Sequence, residues 1–160
     1  MMKVLFVCLG NICRSPMAEA IFRAKVEAKG LSGAIAADSA GTGSWHIGKE
    51  PHEGTRRILR KHSISYEGMK ARKLESADFA KFDYIVCMDD SNVSNVRSIP
   101  GGERHPQIVR MMDYVPEHPM REVPDPYYTG NFEETYELVN EGCERLLQHI
   151  CERESLQQEG

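Results

Sequence analysis

Cys8 stands six residues before Arg14 and seven before Ser15, in the run Cys8-Leu9-Gly10-Asn11-Ile12-Cys13-Arg14-Ser15. A cysteine thiolate is a strong nucleophile, and a guanidinium offers a planar fork of donors that matches a phosphate or a similar oxyanion. The five residues between them are enough to curl into a cradle. If that cradle opens onto the start of a helix, main-chain N–H groups and the helix dipole converge on the anion and favour the thiolate. The predicted chemistry is covalent phosphoryl transfer, with Cys8 taking the group and Arg14 holding it.

Such a cradle needs a strand to deliver the cysteine and a helix to receive the arginine. Residues 3–7 (Lys-Val-Leu-Phe-Val) form a short, nearly continuous apolar run, the signature of a buried parallel strand, with Cys8 at its C-terminal end. Ser15 suits a helix cap and Pro16 a first helical position, and Ala20, Ile21, Ala24 and Ala28 recur at helical spacing up to Gly30. Residues 34–39 predict a second strand, ending at Ser39. A glycine-rich loop with the only tryptophan, Trp45, follows, and then a helix from Pro51 whose Arg56, Arg57, Arg60 and Lys61 face solvent. A short helix over 75–81 precedes a third strand over 84–88. Asp89 or Asp90 caps a helix to about Ile99, and a weaker fourth strand covers 107–112. Four prolines, Pro116, Pro119, Pro124 and Pro126, predict an irregular functional loop over 114–130. The last helix runs from Phe132 to about Glu152 with Leu138, Cys143, Leu146, Leu147 and Ile150 as its apolar stripe.

Alternating strands and helices imply an α/β fold: an open four-stranded parallel sheet with helices on both faces, whose ligands bind beyond the strand C-termini. The 160 residues read as a single domain, 1–160, with a polar frayed tail over about 153–160. A formal charge of −4 argues against a nucleic-acid or membrane-surface partner. Five cysteines without paired metal-ligand spacing fit a reducing compartment, so the cytoplasm is the expected location. No apolar run approaches a membrane span.

The segment 4–20, containing Val-Cys-Leu-Gly-Asn-Ile-Cys-Arg-Ser-Pro-Met-Ala-Glu-Ala, resembles the active-site region of low-molecular-weight protein tyrosine phosphatases. Asp38-Ser39, Ser44-Trp45, residues 59–64 with His62, Cys87-Met88-Asp89 and Asp125-Pro126-Tyr127-Tyr128 match landmarks of that family in order, so the resemblance spans nearly the whole chain. It implies that Cys8 attacks phosphorus in line to form a phosphocysteine. Arg14 and the amides of Leu9, Gly10, Asn11, Ile12, Cys13, Arg14 and Ser15 then hold the equatorial oxygens. Asp125 protonates the leaving phenolate and later activates the hydrolytic water. No cofactor and no metal is expected, because Arg14 and the loop dipoles supply the positive field.

By the same resemblance Ser15 hydrogen-bonds the Cys8 sulfur, and Asn11, Ser39 and His62 hold the cradle's shape. Asp89 lies near the mouth, and Ile12, Trp45, Tyr127 and Tyr128 wall a cleft for a flat ring. Cys13, by default a small buried hydrophobe, is implied as the redox partner that traps oxidised Cys8 in a reversible disulfide. The expected partners are tyrosine-phosphorylated proteins and a cognate tyrosine kinase, and the expected state is a monomer or weak homodimer.

Three rivals share parts of the pattern. Arsenate reductases relay oxidation through two further cysteines after the third strand; Cys87 could be one, but residues 89–99 contain no second. Protein-arginine phosphatases commonly carry threonine where this chain has Ile12, whose apolar side chain favours a phenyl phosphate. A phosphocysteine carrier of a sugar-transport relay would have no need of both Arg14 and Asp125.

Overall fold

The computed structural model describes residues 1–156. Four parallel strands, β1 (Met2–Cys8), β2 (Ile35–Gly41), β3 (Tyr84–Cys87) and β4 (Ile108–Arg110), form one sheet in the order β2-β1-β3-β4. The apolar run of β1 occupies a central position with both faces covered, and Val4, Leu5, Phe6 and Val7 have no exposed surface. Because successive side chains alternate, Val4, Phe6 and Cys8 enter the larger core, whereas Leu5 and Val7 enter the smaller one with Ile85, Cys87 and Val96. The larger core is closed by α1 (Arg14–Ala28) and α6 (Phe132–Arg153), joined by α2 (Glu53–Lys61). The smaller lies under α3 (Asp78–Lys81) and α4 (Asp90–Arg97). Helices therefore cover both faces of a single-domain open sheet, as the alternation of elements predicts.

The chain leaves β1 towards β2 on one side and later crosses to β3 on the other. The strand order reverses at β1, and the loop after Cys8 occupies the crevice created there. Among the described residues no helix is long and apolar enough to cross a membrane.

Several local expectations need correction. Helix α1 begins at Arg14 with Cys13 as its N-cap, so Ser15 is inside the first turn and does not cap it. Ser39 lies within β2, opposite Phe6, and not beyond the strand end. Residues 75–77 are not helical; the Glu75 N–H instead donates to Asp78 Oδ2. Regular structure also survives in the proline-rich segment, as a one-turn helix α5 (Pro126–Thr129). Pro126 at its first position needs no N–H partner, the Asp125 carboxylate caps the Tyr127 N–H, and Gly130 at φ 73° closes the turn. At the start of the expected tail Ser155 adopts φ 54°, the Leu156 N–H donates to the Cys151 carbonyl, and Leu156 packs on the core. The remainder of the expected tail, 157–160, lies outside the described residues.

Candidate active site

The loop from Cys8 to Arg14 is wound tightly because Asn11 adopts a left-handed backbone, φ 56°, which costs a non-glycine residue energy unless the surroundings hold it. They hold it at three points. Asn11 Oδ1 accepts from the main-chain N–H of Arg72 at 3.0 Å, and Asn11 Nδ2 donates to Ser15 Oγ at 2.7 Å and to Ser39 Oγ at 3.0 Å. A backbone N–H can only donate, so the Arg72 bond decides which end of the Asn11 amide is oxygen. Both serine oxygens are then acceptors from Asn11, and their own protons are free to go elsewhere: Ser39 donates to Glu19 Oε1 at 2.7 Å, and Ser15 donates to Cys8 Sγ at 3.0 Å.

Arg72 itself is clamped by Asp38 and by the buried Asp78. Burial raises the Glu19 carboxyl above its ordinary range, against the opposing pull of the Ser39 hydrogen bond and Arg23. The loop is further tied down by the Thr55 hydroxyl donating to the Cys13 carbonyl and by the Gly43 N–H donating to the Leu9 carbonyl.

Gly41, at the end of β2, approaches this loop too closely for any side chain: a Cβ there would lie 2.8 Å from the Leu9 carbonyl oxygen and 3.1 Å from Asn11 N. Gly41→Ala must therefore displace the loop. The expected outcome is a loss of about 1–3 kcal/mol in urea unfolding together with weaker competitive inhibition by inorganic phosphate. Unchanged values for both would show that the loop yields without cost.

Arg14 is buried under the same loop. Its Nη1 donates to Asp89 Oδ2 at 2.6 Å and to the Val123 carbonyl at 2.8 Å, and its Nη2 lies 3.4 Å from Asp125 Oδ2. Nε is buried with no hydrogen-bond partner among the described residues. Burial by itself disfavours the guanidinium, but the negative charges of Cys8, Asp125 and Asp89 outweigh it and raise its pKa. Asp89 is in turn fixed by the Asn92 N–H on its other oxygen. Asp125 is likewise held through Oδ1 by the Tyr127 N–H.

Next to these groups lies a cavity of about 330 Å³ lined by Cys8, Leu9, Gly10, Ile12, Cys13, Trp45, His46, Asp125, Tyr127 and Tyr128. The tertiary structure thus brings Cys8, Asp125 and the four expected wall residues together across more than a hundred residues of sequence. His62 is the exception. It is exposed at the end of α2, its ring stacked on Tyr136 with centroids 3.9 Å apart, because the helix carries it away from the cradle. The Asn11 amide oxygen is held by the main-chain N–H of Arg72, for which the sequence carries no signal. His46 and His52, beside Tyr127, were also missed; a titratable residue next to Trp45 in a glycine-rich loop was the available hint for the first.

Burial, with the nearby charges of Cys8 and Asp125, pushes the Cys13 thiol up to about 12, so it remains protonated at neutral pH. Cys87 is buried and its pKa is likewise raised, while Cys143 packs in the larger core as the helical stripe predicts, joined there by Cys151. Among the described residues no group of three or more His, Cys, Asp or Glu side chains is placed to hold a metal ion.

Comparison with known proteins places this arrangement among its relatives. Residues 3–159 match the family described as low molecular weight phosphotyrosine protein phosphatase. The low molecular weight protein-tyrosine-phosphatase YfkJ of Bacillus subtilis is 55% identical over 156 residues, covering 98% of this chain and 100% of that one. Its crystal structure superposes with a TM-score of 0.94 at 56% identity over 96% of each chain. PtpA of Staphylococcus aureus, of the same description, is 45% identical over 99% of both chains. A drosophila arginine phosphatase shares the fold at TM-score 0.84 and 36% identity, covering 93% of this chain and 98% of that one.

Proposed function

The chain belongs to the low molecular weight phosphotyrosine protein phosphatase family and is a low molecular weight protein-tyrosine-phosphatase; from that premise we propose that it hydrolyses phosphotyrosine in proteins through a phosphocysteine, with Cys8 as nucleophile and Asp125 as general acid. The observation that supports this reading is that Cys8 and Asp125 line one cavity, with Arg14 held beside it by Asp89 and Asp125 and its Nε without a hydrogen-bond partner among the described residues. In the first step the Cys8 thiolate attacks phosphorus, the P–O bond to the phenol breaks, and Asp125 gives its proton to the departing oxygen. Arg14 Nε and the cradle amides hold the phosphoryl oxygens while charge redistributes over them. In the second step Asp125 takes a proton from water, which attacks phosphorus and releases the thiolate, again stabilised by the Ser15 hydroxyl. Asp89 keeps Arg14 aimed at the cradle.

Trp45, Tyr127 and Tyr128, all strongly exposed, with Ile12 below them, suit a flat ring presented on a protein surface. The partners are accordingly tyrosine-phosphorylated proteins, with a tyrosine kinase supplying them. A panel of phosphotyrosine, phosphoserine, phosphoarginine and arsenate tests the assignment. Phosphotyrosine is expected to be turned over fastest, and faster turnover of phosphoarginine would transfer the enzyme to the arginine-directed class.

Cys13 lines the same cavity as Cys8, which supports its redox role. Peroxide converts the Cys8 thiolate to a sulfenic acid, releasing hydroxide; the Cys13 thiol then displaces that oxygen as water and closes a disulfide. With Cys13 held near 12, its thiolate fraction, and with it the rate of closure, should rise about tenfold per pH unit through neutrality. Dimedone should capture the sulfenic acid at pH 6 and lose to disulfide formation at pH 8. Dimedone capture with no Cys8–Cys13 disulfide at either pH would refute the role.

A further inference from the structure

The geometry points to His52 as a positioning residue that joins the phosphate cradle to the segment carrying Asp125, an inference that rests on the general-acid reading of Asp125. His52 meets four parts of the molecule at once, three of them through its ring. Its main-chain N–H donates to the Ile12 carbonyl in the cradle at 2.7 Å. Its Nδ1 accepts from the Gly54 N–H at 3.0 Å, capping α2, so that the neutral ring carries its proton on Nε2. The ring face stacks on Phe132, centroids 5.1 Å apart and planes 20° apart, and it meets Tyr127 edge-on at 6.0 Å.

These two aromatic contacts bracket α5. Tyr127 is the second residue of that turn, and Phe132 is the first of α6, just beyond its closing glycine. Phe132 is itself pinned, packing against Ile12, Cys13 and Ala71 and lying so close over Gly54 that a Cβ there would fall 2.4 Å from the ring. Asp125 caps α5, so its carboxyl goes where α5 goes. Apart from the 3.4 Å contact to Arg14, its hold on the cleft is the bond from Tyr127. On the other side of Tyr127 stands His46, at 6.3 Å. A turn of four residues cannot set its own position; His52 holds both of its ends against the loop that receives the phosphate.

In kcat/KM, which covers the chemistry up to departure of the phenol, a displaced Asp125 affects the step that needs its proton. That gives the role a signature that general loosening of the fold would not produce. His52→Asn keeps a capping acceptor for Gly54 and removes the ring. Its kcat/KM for phosphotyrosine should fall roughly tenfold, while 2,4-dinitrophenyl phosphate, whose leaving group needs no proton, should change less than about twofold. His52→Phe, which keeps an aromatic ring over Phe132 and Tyr127 but loses the cap, should track the parent's leaving-group profile.

Equal losses on both substrates, no loss on either, or a Phe variant that behaves like the Asn variant would overturn the role. Asp125→Asn, assayed alongside, separates the two levels. If it shows leaving-group dependence and His52→Asn does not, only the His52 inference falls. If Asp125→Asn shows none, the general-acid reading falls and takes this one with it.

Discussion

Cys8→Ser is expected to lower turnover of aryl phosphates by roughly 10⁴-fold or more, the scale on which enzymes lose rate when the nucleophile of a covalent mechanism is removed. A serine hydroxyl is essentially un-ionised at neutral pH, and the group beside it, the Ser15 hydroxyl, is itself un-ionised and too weak a base to take its proton. Binding should behave oppositely. The variant retains the Arg14 Nε donor, the cradle amides and the helix start, and it loses a negative charge directly beneath the phosphate. Affinity for inorganic phosphate, measured calorimetrically, should therefore hold or improve. Substantial turnover by the variant, or loss of phosphate binding in step with loss of rate, would show that Cys8 supports the loop and does not attack the substrate.

Asp125→Asn is the second large effect. Asparagine caps a helix as well as aspartate does, so α5 and its Tyr127 bond should survive while the proton is removed. General-acid assistance contributes about 10²–10⁴-fold, and it is needed most by a phenolate of high basicity. The ratio kcat/KM covers the chemistry up to departure of the phenol, so it should drop by that factor for phosphotyrosine and far less for 2,4-dinitrophenyl phosphate. The variant also relieves Arg14 of one of its two carboxylates, and Asp89, at 2.6 Å, keeps the guanidinium in place. A uniform decrease across leaving groups would instead assign Asp125 to binding.

The two variants probe residues that became visible in different ways. Cys8 was legible because its neighbours in sequence are its neighbours in space: the apolar run of β1 predicts a buried central strand, the strand ends where the loop begins, and Arg14 and Ser15 follow within one turn of helix. Asp125 carries no local mark beyond a turn-forming Asp-Pro pair, and only the resemblance of the chain to a family singled it out. His62 shows the limit of that resemblance, since a landmark matched by order along the chain proved to lie on the exposed end of α2.

From the sequence alone came the parallel α/β architecture and the loop from Cys8 to Ser15 between strand and helix, because strand burial, helix periodicity and that spacing are short-range properties. The tertiary structure decided which donors and acceptors meet. The proton of Ser15 is directed to sulfur through a chain that starts at the main chain of Arg72, sixty-one residues from Asn11, and α5 is held by an imidazole from the start of α2. Hydrogen bonds and ring contacts between distant segments depend on where the backbone passes rather than on residue type. A main-chain N–H is the same at every position but proline, so no pattern of side chains could announce that this one completes the site.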